Sequence, residues 1–235
     1  MAAVTDYMRE RDFNEDGSPK RQPEPEKTGT VDFAKNSGKN AAQAAPPVAS
    51  KASVEFTREN IADKVDVTGL STPALDAINT HMFAAMQKYG LEKLPDFAPT
   101  NLQRAILGVD RVSGNFVFNA ASWNEIVRDP RAAFVRFVKE PEKRDGRKRF
   151  SVVKERQLVK YMVDHEVGHR IFNRSQLPDK EKRIEALWLL HRDDETFGSY
   201  AASEPREFFS EAFAIRERGG ILSNDVLDFI NEVIK

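Results

Sequence analysis

The stretch YMVDHEVGHRIF, residues 161–172, contains two of the four histidines of the chain, and a glutamate directly follows the first of them. On an α-helix, residues four apart have Cβ atoms about 5–6 Å apart, so two imidazoles can converge on one zinc ion at about 2.0–2.1 Å each. Glu166 lies beside the face formed by His165 and His169 and can reach a water at the metal. This HExxH pattern predicts a zinc site.

The residues around the motif predict the helix that carries it. Between about residues 154 and 172, apolar side chains and the two histidines recur at steps of four, three, four and three, which is one face of an α-helix. They are Leu158, Met162, His165, His169 and Phe172. A histidine in an apolar stripe is more often a core residue than a ligand, and a catalytic zinc site needs a third protein ligand.

The third ligand has to be a histidine or a carboxylate, because the chain contains no cysteine. We interpret the other two histidines, His81 and His191, as structural or surface residues. The better source is SYAASEPREFFSEAFAIRERGG, residues 199–220, in which Glu207 and Glu211 lie four residues apart among apolar residues. Two acids stacked on one helical face favour a cation, although surface carboxylates on a half-exposed helix are the alternative.

The ends of this second helix are also marked in the sequence. We expect Ser203 to cap its N-terminus, with Pro205 in the first turn. The pair Gly219–Gly220 is typical of a helix end.

These motifs together resemble the catalytic domain of anthrax toxin lethal factor and its relatives. In that family HExxH is followed by a tyrosine and, seven residues later, by the first glutamate of an E-F-F-x-E-A-F helix. Tyr200 and Glu207 have that spacing in this chain, and the closing NDVLDFINEVIK resembles the terminal helix of the family. The resemblance covers residues 161–235 as motif and about 70–235 as architecture.

The resemblance implies a role for each matching position. His165, His169 and Glu207 would bind zinc, and Glu166 would be the general base. Glu211 would lie behind the ligands and orient one of them, as carboxylates commonly do behind metal-bound imidazoles. Tyr200 would hydrogen-bond the oxyanion.

The fold implied for residues 51–235 is α+β: a zincin-like metalloprotease domain with a small twisted sheet, a backing helix, the HExxH helix and a helical C-terminal half. An extended substrate would pair with the sheet edge, for which NFVFN, residues 115–119, is a candidate. The N-terminal part has no counterpart of the toxin's delivery or docking domains, so the toxin's kinase-cleaving specificity is not implied.

Residues 1–50 predict an extended N-terminal arm. They are rich in charge, proline, glycine and alanine and contain too few large apolar side chains to form a core. Spaced apolar side chains along them are of the kind that docks an extended peptide onto a partner. These are Tyr7, Met8, Phe13, Val31 and Phe33.

Charge and hydropathy limit the expected partners and location of the protein. The formal net charge is −1, which gives no general attraction to nucleic acid or to an anionic membrane. We find no signal peptide and no run of membrane-spanning length, so we expect a cytoplasmic or virion-associated protein.

Between the arm and the motifs, the sequence predicts several elements. A helix over about residues 72–89 is expected between a Ser71 cap and the Gly90 stop, and a hairpin is expected around the turn DRVSG, residues 110–114. SWNEIVRDP, residues 122–130, fits a third strand or one helical turn. The basic run 139–149 predicts a solvated loop, with substrate or nucleic-acid contact as the alternative.

Three functions fit these observations. The first is a zinc-dependent endopeptidase that acts on a protein or peptide, with residues 1–50 as the arm through which it could be delivered or packaged by binding a virion or delivery complex. The second is a virion component, as in a phage, or another assembly protein that retains the metalloprotease fold and uses residues 1–50 to bind neighbours. The third, nucleic-acid binding through residues 139–149, is disfavoured. The presence of Glu166 and Tyr200 together favours the peptidase, because a purely structural protein needs neither.

Overall fold

The sheet has four strands within the part of the chain that the computed structural model describes, which is residues 47–100, 106–146, 148–151 and 154–235. These are β1 (Ala62–Val65), β2 (Leu94–Pro99), β3 (Leu107–Val109) and β4 (Phe116–Phe118), in the order β1-β2-β4-β3. β1, β2 and β4 are parallel, whereas β3 pairs with β4 antiparallel and forms the predicted hairpin. With the helices described below, this mixed sheet confirms the α+β class.

The expectation that NFVFN presents the sheet edge is wrong. β4 lies between β2 and β3, with Phe116 opposite Phe97 in the β2 register and opposite Val109 in the β3 register. Phe116 and Phe118 are fully buried, and both rings pack against that of Phe97. An aromatic pair of this kind belongs in the middle of a sheet, so the edge on this side is β3.

Two capped helices precede and back the sheet. In α1 (Lys51–Asn60), the Ser50 side chain accepts the N–H of Ser53. α2 (Thr72–Tyr89) begins after Ser71 and ends at Gly90, which adopts the left-handed conformation (φ 58°) that favours glycine. The predicted helix over residues 72–89 is confirmed.

The segment whose structure the sequence left open is helical. α3 (Ala120–Arg128) starts after Asn119, whose side chain accepts the N–H of Ser122. Trp123 is buried and its Nε1–H donates to the Ala74 carbonyl in α2 at 2.9 Å, which fixes α3 against the backing helix.

The prediction that residues 139–149 form a loop is wrong for their first part. The chain continues from α4 (Pro130–Phe134) through a π-helical turn at Val135–Lys139 into α5 (Glu140–Asp145). A proline in the first turn and glutamates near the N-terminus both suit a helix start, and Gly146 (φ 67°) ends it. Of the described basic residues in this run, Lys143 and Arg144 therefore lie on a short helix, and Lys148 and Arg149 follow it.

The HExxH helix, α6 (Leu158–Arg174), packs against α2 and against α8 (Pro205–Glu217). α6 and α8 approach each other closely at Gly168, since a Cβ there would lie only 2.9 Å from the Ser210 Cα. Ser203 does not cap α8. Glu204 occupies the cap position without a side-chain hydrogen bond, and the Ser203 hydroxyl donates to the Tyr200 carbonyl.

Two further helices complete the C-terminal half. α7 (Lys180–His191) packs on α8, and α9 (Asn224–Ile234) packs on α6, α7 and α8. None of the helices described is both long and apolar enough to cross a membrane. The predicted arm of residues 1–50 lies outside the described residues except for positions 47–50.

Candidate metal centre

Two imidazoles project from one face of α6 into the interior. His165 and His169 are 5% and 9% exposed, and their ring centroids are 4.9 Å apart. Almost every side chain from Leu158 to Phe172 is buried, because α6 is covered by α2 on one side and α8 on the other. This helix is held rigidly, so the spacing of the imidazoles is fixed by the fold.

Glu207, from the first turn of α8, completes a cluster with these imidazoles. Its Oε2 lies 2.9 Å from His165 Nε2 and 3.2 Å from His169 Nε2, and the three ligand atoms all lie within 4.8 Å of one another. Ligands of a tetrahedral zinc at about 2.0–2.1 Å are separated by about 3.3 Å. Among the described residues, these three form a buried group that can hold a metal ion.

Glu166 is buried beside this cluster, and its Oε2 has no hydrogen-bond partner in the described part of the chain. The nearby Val109 backbone N–H of β3 favours the ionised carboxylate. Burial raises the pKa of Glu166, and the charges of His165 and His169 oppose that rise. A buried carboxylate oxygen without a partner fits a site where a water is held at a metal.

Glu211, one turn along α8, lies behind the cluster. Its Oε1 is 3.5 Å from His165 Nδ1 and accepts a hydrogen bond from the Tyr161 hydroxyl. Its Oε2 accepts hydrogen bonds from the Ser151 backbone N–H at 3.1 Å and from the Ser151 hydroxyl at 2.5 Å. Burial opposes ionisation, but His165 and these hydroxyl groups lower the pKa of Glu211 below its usual value. It is placed to orient the imidazole of His165.

Tyr200 is half-buried beside His165. Its ring centroid is 5.6 Å from that of His165 and 5.6 Å from that of Phe150. Burial and the negative charge of Glu207 raise the pKa of Tyr200, so its hydroxyl keeps its proton and can act as a hydrogen-bond donor. The resemblance to lethal factor implied that Tyr200 belongs to this site, and the fold places its ring beside that of His165.

The charges around the cluster favour a cation. Burial by itself would lower the pKa of His165, but hydrogen bonds to Glu207 and Glu211 raise it to about 10. Burial by itself would raise the pKa of Glu207, but its contacts with His165 and His169 lower it. The buried carboxylates thus favour positive charge at the centre of the cluster.

Two residues near the cluster were not found from the sequence. Arg111, at the tip of the β3–β4 hairpin, forms an ion pair with Glu204 and has its Nη2 3.5 Å from Glu207 Oε1. Ser151 binds Glu211 as described above. Ser151 lies outside the motifs, and Arg111 was predicted only as part of a turn. Both are far in sequence from their partners, so no periodicity or spacing indicated these contacts.

The remaining histidines are not in the cluster. His191 Nε2 lies 2.8 Å from Asp225 Oδ2, which joins α7 to α9. His81 lies in α2, where burial lowers its pKa. Their interpretation as structural or surface residues agrees with these positions.

No protein-family model, curated protein or solved structure matches this chain. The resemblance to lethal factor therefore depends on the residues of the motif and their spacing.

Proposed function

We propose that this protein is a zinc-dependent endopeptidase of the lethal factor type. The observation that carries the proposal is the convergence of His165, His169 and Glu207 beside the unpartnered carboxylate oxygen of Glu166. A zinc ion bound by those three residues would lower the pKa of a bound water to about 7 and polarise a peptide carbonyl.

Three side chains have the remaining roles in the proposed catalysis. Glu166 takes the proton of the attacking water and passes it to the leaving amine, because it is buried beside the ligands without being one of them. Tyr200 donates its hydroxyl hydrogen bond to the oxyanion that develops in the transition state. Glu211 holds His165 through the Nδ1 side of the ring.

An extended substrate has an edge to bind. The Ile106 carbonyl accepts from the Asn119 N–H, and the Asp110 N–H donates to the Asn115 carbonyl. Along an antiparallel ladder, hydrogen-bonded and non-hydrogen-bonded residue pairs alternate. The amide and carbonyl groups of Leu107 and Val109 therefore face away from β4. β3 packs against α6, and its Val109 N–H lies near Glu166, so the edge of β3 runs beside the general base. We propose that the substrate adds to β3 as a further strand.

One experiment on the full chain tests zinc binding and peptidase activity together. The full chain should bind one zinc per molecule and cleave members of a peptide library, as followed by mass spectrometry, and a chelator should abolish cleavage. Glu166→Gln should keep zinc and lose about 10²- to 10⁴-fold in turnover, because the general base is removed while the ligands remain.

Glu185→Gln is the matched control. It removes an exposed carboxylate on α7 and should leave zinc content and turnover unchanged. Full activity in Glu166→Gln would refute the mechanism, and a chain that binds no zinc would refute the function.

A further inference from the structure

One buried serine joins the two sides of the candidate site. Ser151 is 1% exposed, and its hydroxyl donates to Glu211 at 2.5 Å while accepting the Gly198 N–H at 3.0 Å. Glu211 lies behind His165, and Gly198 lies two residues before Tyr200. A single side chain therefore links the ligand-bearing helices to the loop that carries Tyr200.

The backbone on either side of Ser151 holds the same loop. The Ser199 N–H donates to the Lys148 carbonyl at 2.7 Å, and the Tyr200 N–H donates to the Arg149 carbonyl at 3.0 Å. Only glycine fits at position 198, because a Cβ there would lie 2.3 Å from the Arg149 oxygen. Residues 148–151 thus fix the position of the Tyr200 backbone.

Residues 148–151 are themselves anchored in the core. The Ser151 N–H donates to Glu211, and its carbonyl accepts from Arg218. The Arg218 guanidinium lies 5.5 Å from the ring centroid of Tyr161, whose hydroxyl also donates to Glu211. Glu211 is the common point of these contacts, so the imidazole of His165 and the Tyr200 loop are oriented by the same carboxylate.

We propose that Ser151 is a positioning residue that holds the Tyr200 hydroxyl in register with the metal centre. This inference rests on the proposed peptidase function. Ser151 acts through Gly198 and Tyr200 and touches no ligand atom of the cluster. A displacement of about 1 Å in a group that contacts the transition state can cost on the order of 10²-fold in rate. A buried residue that holds such a group in position therefore has a large effect on the rate.

The test is a double-mutant cycle on the full chain. Tyr200→Phe should lower turnover about 10²- to 10³-fold, because an oxyanion donor is lost. Ser151→Ala should lower turnover by about 10- to 10²-fold with unchanged zinc content, and should have no further effect when added to Tyr200→Phe. Gly198→Ala, which displaces the loop without altering Ser151, should behave in the same way.

A second readout needs no activity. In zinc-free and zinc-loaded protein, the Ser199 and Tyr200 amides should lose protection from hydrogen exchange in Ser151→Ala. Ser53→Ala is the matched control: Ser53 is also buried, but its hydroxyl hydrogen-bonds Ser50 at the start of α1, which contributes no residue to the site, so exchange of the two amides and turnover should not change.

Additive losses in the cycle, retained protection of the two amides, or loss of zinc in Ser151→Ala would each overturn the proposal. A wild-type chain that binds no zinc would instead refute the peptidase, and the exchange experiment would still decide whether Ser151 holds the loop.

Discussion

At the scale of single residues, Glu207 and Glu211 are similar carboxylates whose different contacts give them different roles. They lie one turn apart on α8, and both are buried with lowered pKa values. Glu207 faces the Nε2 atoms of both imidazoles, whereas Glu211 faces only His165 Nδ1 and is otherwise bound by hydroxyl and amide donors. Glu207 has capacity left for a metal, and Glu211 is already satisfied.

Replacing each carboxylate by its amide separates these roles. Glu211→Gln should weaken zinc binding about 10- to 100-fold, as expected for a group that orients a ligand. Glu207→Gln should weaken it further, because a charged ligand atom is lost from the cluster. Competition with a chromophoric chelator measures both constants. If Glu211→Gln lost more zinc affinity than Glu207→Gln, the third ligand would be Glu211, one helical turn along α8.

Helical periods in the sequence indicated the two histidines and two candidate carboxylates. His165 and His169 are four apart on a helical face, as are Glu207 and Glu211. The resemblance to lethal factor implied the choice of Glu207 and the role of Tyr200. Ser151 and Arg111 could not be found in this way. Ser151 meets Glu211 across 60 positions of the chain, and only the tertiary fold brings Arg111 to Glu204.

At the scale of elements, the metal centre depends on how closely α6 and α8 pack. α6 brings both histidines and α8 brings Glu207, so the ligand distances follow from the separation of the two helices. Gly168 permits that separation, with the Ser210 Cα 2.9 Å and the Phe213 Cβ 3.3 Å from the place of a missing Cβ.

Gly168→Ala should therefore destabilise the fold, although alanine is the better helix former by about 0.5–1 kcal/mol. The added carbon meets backbone, which cannot rotate away, and overpacking of this kind costs about 1–3 kcal/mol. Thermal unfolding should show a lower midpoint, and zinc affinity should fall as the helices separate.

Gly108→Ala on β3 is the control, since its Cβ meets only a Val117 methyl at 3.4 Å. Equal midpoints and zinc affinities for Gly168→Ala and the wild type would show that the helices do not set the ligand geometry.

Helices and the hairpin were more predictable than the order of the strands. The Ser71 cap and Gly90 stop are local signals, and both ends of α2 lie where these signals indicate. Strand order depends on which strands pair after long connections. β4 pairs with β2 although β3 lies between them in the sequence. NFVFN is therefore inside the sheet, and β3 is at its edge.

At the scale of the whole molecule, the boundary between the predicted arm and the domain determines what can be removed. Helix α1 begins at Lys51, but Ser50 belongs to the helix start. Its side chain accepts the Ser53 N–H at 3.2 Å, and its own N–H donates to Thr72 Oγ1 at 2.8 Å. Ala49 also packs against the core. A cut at residue 50 would remove these contacts, and a cut at residue 46 would keep them.

Residues 1–46 should be dispensable for folding and zinc binding, since residues 1–50 carry seven basic and eight acidic side chains and few large apolar ones. Fragment 47–235 should match the full chain in unfolding midpoint, zinc content and peptide cleavage. Fragment 51–235 should melt about 2–4 °C lower, because loss of an N-cap costs about 1 kcal/mol. Ser50→Ala in the full chain should reproduce most of that loss, which separates the cap from the arm. If fragment 47–235 unfolds or loses its metal, the arm packs on the zinc domain itself, and residues 1–46 are part of the fold that builds the site.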